Sequence, residues 1–173
     1  MEATVTTNDE RAREGQAALE HYERERAALG RTPDKQDETE LALAAAAAHF
    51  GDQQRDIPIT VEVLRADREE AVTVFLDLIS NLFHAADGAA PPRMLIDTVL
   101  AEETMLPADV TATWSRLSPE ARRYAAFLAA VGQAAASCHD VYAQDLLEEG
   151  RAVFEDEAEE ERYNRLTSRR EAA

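Results

Sequence analysis

Four histidines and one cysteine are the residues of this chain best suited to chemistry, and their spacing decides what is open to them. A di-iron carboxylate site in a helical bundle uses Glu-x-x-His pairs, because i and i+3 place both ligands on one inward face. The residues three before His21, His49, His84 and His139 are Ala18, Ala46, Asn81 and Ala136, so the pattern is missing each time. Cys138-His139-Asp140 reads like a nucleophile, a base and an orienting acid in a row. Adjacent helical residues diverge by about 100°, however, and cannot converge on one atom. The single cysteine allows neither an intramolecular disulfide nor a multi-Cys zinc site. On an apolar seam it reads as a buried, inert thiol. His84 and Asp87 are i, i+3 neighbours near a helix end, where the dipole favours a histidine, so a structural role outweighs general-base chemistry. No Gly-x-Ser-x-Gly elbow, phosphate loop, dinucleotide fingerprint or His-Glu-x-x-His motif occurs. The chain predicts no catalytic residue, no metal-ligand set and no cofactor.

Charge is the stronger signal. Thirty-five acids face eighteen bases, of which Lys35 alone is a lysine, for a formal charge of −17. The excess is spread along the chain rather than confined to a tail. Such a surface repels nucleic-acid backbones and anionic membranes and favours cationic partners or plain solubility. Its densest block is Glu155, Asp156, Glu157, Glu159, Glu160 and Glu161, the candidate partner-binding segment. Arg162, Arg165, Arg169 and Arg170 follow it and are spaced to neutralise part of it by i, i+4 pairing. A solvated helix end is the competing explanation.

The elements that would carry these groups read as helices. Low Gly and Pro content, six of each, argues against an all-β chain. The expected fold is an all-α, single-domain bundle of about five to seven helices. A thin amphipathic helix within residues 1–30, capped by Asn8 or Asp9 and ended by Gly30, is expected at the periphery. A core domain follows over 37–150, and a partly exposed segment, first acidic and then arginine-containing, over 151–173. Asp37 with Glu40 resembles a capping box for an Ala-rich helix, Leu41 to Phe50, closed by Gly51. Ile57, Ile59, Val61 and Val63 alternate as a strand would, but no second strand pairs with them. A helix from Thr60 to about residue 87, with a re-start at Asp67, is preferred, and it is apolar around most of its surface. That helix is the expected centre of the bundle, with Phe75 and Leu82 as its most sensitive positions. Pro92, Pro107 and Ser118-Pro119-Glu120 mark further starts. The last opens a long helix over about 119–149, followed by an exposed helix fading after Leu166.

Two function classes remain. The leading one is a non-enzymatic acidic interaction module, an adaptor or inhibitor of a basic partner protein that is itself a candidate nucleic-acid binder. The alternative is a ligand-binding or catalytic bundle with a pocket between the 60–87 and 119–149 helices, lined by Trp114, Tyr124, Phe127, His139 and Tyr142. A helix-turn-helix over Leu95–Leu117 is a weaker option. Its second helix offers Arg116 against Asp109, with Arg122 and Arg123 nearby, so direct nucleic-acid binding is disfavoured. Homo-oligomerisation through the first helix or the long seam stays open. No secretory leader or apolar span stands out, which makes a cytoplasmic protein without membrane insertion the expectation.

Overall fold

The computed structural model describes residues 6–50 and 57–172. Among them lie eight α-helices and no strand: α1 Asn8–Ala28, α2 Lys35–Phe50, α3 Val61–Ala66, α4 Arg68–Ala85, α5 Pro92–Thr104, α6 Pro107–Ser115, α7 Pro119–His139 and α8 Ala143–Glu171. The expected all-α bundle is present, with one helix more than the upper end of the expected range.

The additional helix comes from Asp67. Its N–H closes α3 on the Val63 carbonyl (2.9 Å), and its carboxylate accepts the Glu70 N–H (3.1 Å) to open α4. One extended residue thus ends one helix and caps the next. Thr60 caps α3 through the Val63 N–H (3.2 Å), so the apolar alternation of 57–63 enters a helix. α1 is capped by Thr7, in a reciprocal box with Glu10, rather than by Asn8 or Asp9. α2 begins earlier than expected, where Asp34 and Asp37 bond each other's backbone N–H groups. The Gly51 closure assigned to that helix lies outside the described residues.

The helix expected over 119–149 is two helices. α7 starts as its signals require, with Ser118 Oγ accepting the Ala121 N–H (3.1 Å). It stops at Asp140, which adopts a left-handed conformation (φ 55°). The N–H groups of Asp140 and Val141 bond back to the carbonyls of Ala136 and Ala135. After Tyr142 the chain re-enters a helix that runs unbroken through Gly150 and on to Glu171. The seam of three- and four-residue spacings looked continuous because Cys138, Tyr142 and Leu146 keep the period across the break. Aspartate tolerates the left-handed turn and gives no glycine or proline signal.

α4 is the centre of the bundle. Val74, Phe75, Leu78, Ile79, Leu82 and Phe83 are all buried, as the sequence requires of a helix apolar on most sides. α1 and α8 pack along it, while α2 packs on α7. Two glycines set how closely they approach. A Cβ at Gly15 of α1 would lie 2.2 Å from the Asn81 carbonyl oxygen, and one at Gly150 of α8 would lie 2.4 Å from Ile79 Cγ2. The thin stripe of α1 is therefore fully used, with Gly15, Ala18, Leu19 and Tyr22 all buried. Tyr22 stacks on Phe127 of α7 with ring centres 4.5 Å apart. Ala42, Ala45 and Ala46 of α2 are also fully buried, the close approach that small side chains permit. No described helix is long and apolar enough to cross a membrane.

Candidate functional site

The acidic segment sits on α8, and the helix divides it by face. Glu157 and Glu161 turn toward the bundle. Glu157 Oε2 accepts a bond from Ser80 Oγ (2.6 Å) and lies 2.9 Å from His84 Nε2, while Oε1 pairs with Arg11 (3.1 Å). Ser80 and His84 are both buried on α4, so this carboxylate joins α1, α4 and α8 at one point. Burial pushes the Glu157 carboxyl up. The bonds from His84 and Ser80 and the charges of Arg11 and His84 outweigh it and hold the group below its ordinary value. Glu161 accepts the Asn8 N–H (2.7 Å), the first residue of α1, and pairs with Arg165.

This constellation contains a serine, a histidine and a glutamate, but it is not wired for nucleophilic catalysis. The serine and the imidazole both bond the same carboxylate oxygen, so the imidazole is not placed to take the serine proton. What the arrangement does is fasten helices. Asn81, one residue along, bonds Glu14 of α1 (3.1 Å) and extends the fastening.

Glu155, Asp156, Glu159 and Glu160 face solvent. Glu155 is paired with Arg151 at 3.4 Å, and the other three make no side-chain bond or ion pair among the described residues. Of the six acids singled out by sequence, four therefore form an exposed face and two are tethers. Local spacing alone does not separate them, since what claims Glu157 and Glu161 comes from residues far off in the chain.

The five candidate pocket residues are dispersed. Phe127 and Tyr124 belong to the core. His139 bonds the Leu64 carbonyl through Nε2 and ties α7 to α3. Trp114, whose indole N–H is buried without a partner, lines a shallow cavity of about 440 Å³ with Tyr22, Glu38 and Gln133. Tyr142 is 76% exposed and lines a different one. That second cavity, about 710 Å³, is an open groove between α4 and the α7–α8 junction. A cleft thus runs between the two regions expected to flank a pocket, with Tyr142 as the aromatic of the five that borders it.

Its other walls were not singled out by sequence. Glu69, Asp140, Asp145 and Glu149 line it, with Arg68, over a floor of Val72, Val141 and Leu146. Only the folded junction brings Asp140 beside α4. The i, i+4 spacing of Asp145 and Glu149 was the one legible cue.

Of the arginines that favoured a helix-turn-helix reading, Arg122 and Arg123 are occupied, while the Arg116 side chain makes no bond among the described residues. Arg122 donates to the carbonyls of Trp114 and Ser115 at the end of α6, both at 3.1 Å. Arg123 pairs with Glu23 of α1 at 2.6 Å. α6, the element that would enter a groove of DNA, carries no buried residue. No cluster of three or more His, Cys, Asp or Glu is placed to share a metal ion among the described residues. No known protein-family model, curated protein or solved structure matches this chain.

Proposed function

We propose that this chain is a non-enzymatic helical interaction module that engages a basic partner protein through carboxylates its own fold leaves unused. The observation that carries the reading is the exposed face of α8, where Asp156, Glu159 and Glu160 have no cation within the described chain. Eight arginines are committed within the fold: Arg11, Arg26, Arg31, Arg65, Arg93, Arg123, Arg151 and Arg165 each pair with an internal acid. The negative excess therefore sits at the surface, available to steer and hold a cationic protein, and it opposes direct contact with a nucleic-acid backbone.

The test compares the native chain with a variant carrying Glu155→Gln, Asp156→Asn, Glu159→Gln and Glu160→Gln. Each is tagged and used for capture from nuclease-treated lysate, washed at low and at high salt and read by mass spectrometry. A basic protein held at low salt, shed at high salt and lost by the variant supports the reading. Equal capture by both proteins removes the α8 face from it. Nothing held by either ends it.

A further inference from the structure

Three features together mark the groove between α4 and the α7–α8 junction. Its carboxylates come from separate elements: Glu69 from α4, Asp140 from the junction, and Asp145 and Glu149 from α8. None of the four side chains makes a hydrogen bond or an ion pair among the described residues. An exposed aromatic ring, Tyr142, borders them, and the floor is apolar.

Helix-end preferences explain half of this charge. Glu69 and Asp145 lie in the first turns of α4 and α8, where the positive end of the helix dipole favours an acid. Asp140 and Glu149 have no such reason. Asp140 ends α7, so its carboxylate faces the negative end of that dipole, and it does so in a left-handed conformation better suited to glycine. Glu149 lies beyond the first turn of α8. Among the described residues Arg68 is the one cation lining the groove, and it pairs with none of the four. The described lining of the groove carries an excess of negative charge that local structure does not require.

The shape of that charge selects the cation. The carboxylates are too dispersed to close on a metal ion. A planar guanidinium suits them better, since it stacks on an aromatic face, donates through five N–H groups and is less strongly hydrated than an ammonium. A volume of about 710 Å³ exceeds one side chain and suits a short segment whose apolar atoms rest on Val72, Val141 and Leu146. We propose that this groove binds an arginine, presented by an extended basic segment of the partner protein, with its guanidinium between Tyr142 and the carboxylates of Asp145, Glu149 and Asp140. The proposal rests on the interaction reading above and assigns it a specific subsite.

The experiment is a titration of the full chain with acetylated, amidated tetra-arginine, followed by backbone-amide NMR and calorimetry. Tetra-citrulline, of the same shape without the charge, and tetra-lysine are run alongside. Tetra-arginine is expected to shift the amides of Val72, Val141, Tyr142 and Leu146, to bind better than tetra-lysine, and to leave no effect when replaced by tetra-citrulline. Tyr142→Ala and the pair Asp145→Asn, Glu149→Gln should each weaken binding by about tenfold, while Tyr142→Phe, which keeps the ring face, should bind as the native chain does. Circular dichroism controls for folding, and these exposed positions leave the core intact. The α8 variant neutralised at 155, 156, 159 and 160 should retain the groove shifts. If that variant loses the peptide while the groove variants keep it, the subsite is wrong and the wider interaction reading stands. Equal affinity for tetra-lysine overturns the assignment of a guanidinium. Absence of any shift in the groove overturns the subsite, and the lysate experiment then decides the wider reading by itself.

Discussion

α8 carries acids along its whole length, and two of its faces, one in each half, use them in opposite ways. Toward the C-terminus, Glu157 and Glu161 are drawn into contacts with Ser80, His84, Arg11 and the start of α1. Toward the N-terminus, Asp145 and Glu149 border a groove with Tyr142 and meet no internal cation among the described residues. The difference is what packs opposite. The C-terminal half faces α1 and the polar end of α4, which offer donors. The groove side of the N-terminal half faces the first turn of α4, which offers Glu69, while Glu148 on another side pairs with Arg93 of α5. The same residue type is structural in one place and available in the other.

The most damaging way to break this contrast is Gly15→Ala. The added methyl meets the Asn81 backbone, which cannot rotate away, so α1 must withdraw from α4 and loosen the Asn8 and Arg11 contacts to α8. Denaturant unfolding should register a loss of about 3 kcal/mol, the upper range for overpacking. Native stability in this variant would mean that α1 does not approach α4 as closely as described.

Glu157→Ala comes next. It strands the buried Ser80 hydroxyl and the His84 ring and should cost about 2 kcal/mol by chemical denaturation. The same carboxylate sets a pH dependence. The fold holds it below the ordinary glutamate value of 4.5, so the unfolded chain takes up the proton first as the medium is acidified. The stability it contributes is present above that value and fades as pH falls through the lower, folded value. Glu157→Gln should flatten this acid limb in unfolding curves recorded between neutral pH and pH 3. An unchanged slope would show that Glu157 is not the tether.

At the groove the sign should reverse. Asp140→Gly relieves a left-handed aspartate and removes an anion from a helix C-terminus, and should raise stability by about 1 kcal/mol while weakening tetra-arginine binding. A destabilised Asp140→Gly would show that the carboxylate has a structural bond after all. The smallest effect belongs to Glu149→Gln, expected within about 0.5 kcal/mol of the native chain in thermal unfolding. A large loss there would erase the distinction between the two faces of α8.

Much of the helical outline is legible in the sequence. Ser118-Pro119 and Pro92 start helices where their local chemistry says they should, and the apolar wrap of 72–83 places α4 at the centre. The α7–α8 break was not legible, because Asp140 carries no breaking signal and the apolar period continues across it. The groove followed the break into obscurity. Without a junction at 140–142, Asp140 and Tyr142 belong to one helix and have no reason to share a wall with Glu69.

By itself the sequence determined that this protein is helical, strongly acidic and free of the familiar catalytic motifs. Caps, helix periods and net charge depend on groups a few residues apart, so they are written locally. Which carboxylates are spent and which are left was decided only in the tertiary structure. Ser80 and Glu157 are 77 residues apart, and Asn8 and Glu161 are 153 apart. Whether an acid at one position meets a donor or another acid depends on how close Gly15 and Gly150 let their helices come to α4, a property of the packed bundle that no local pattern contains.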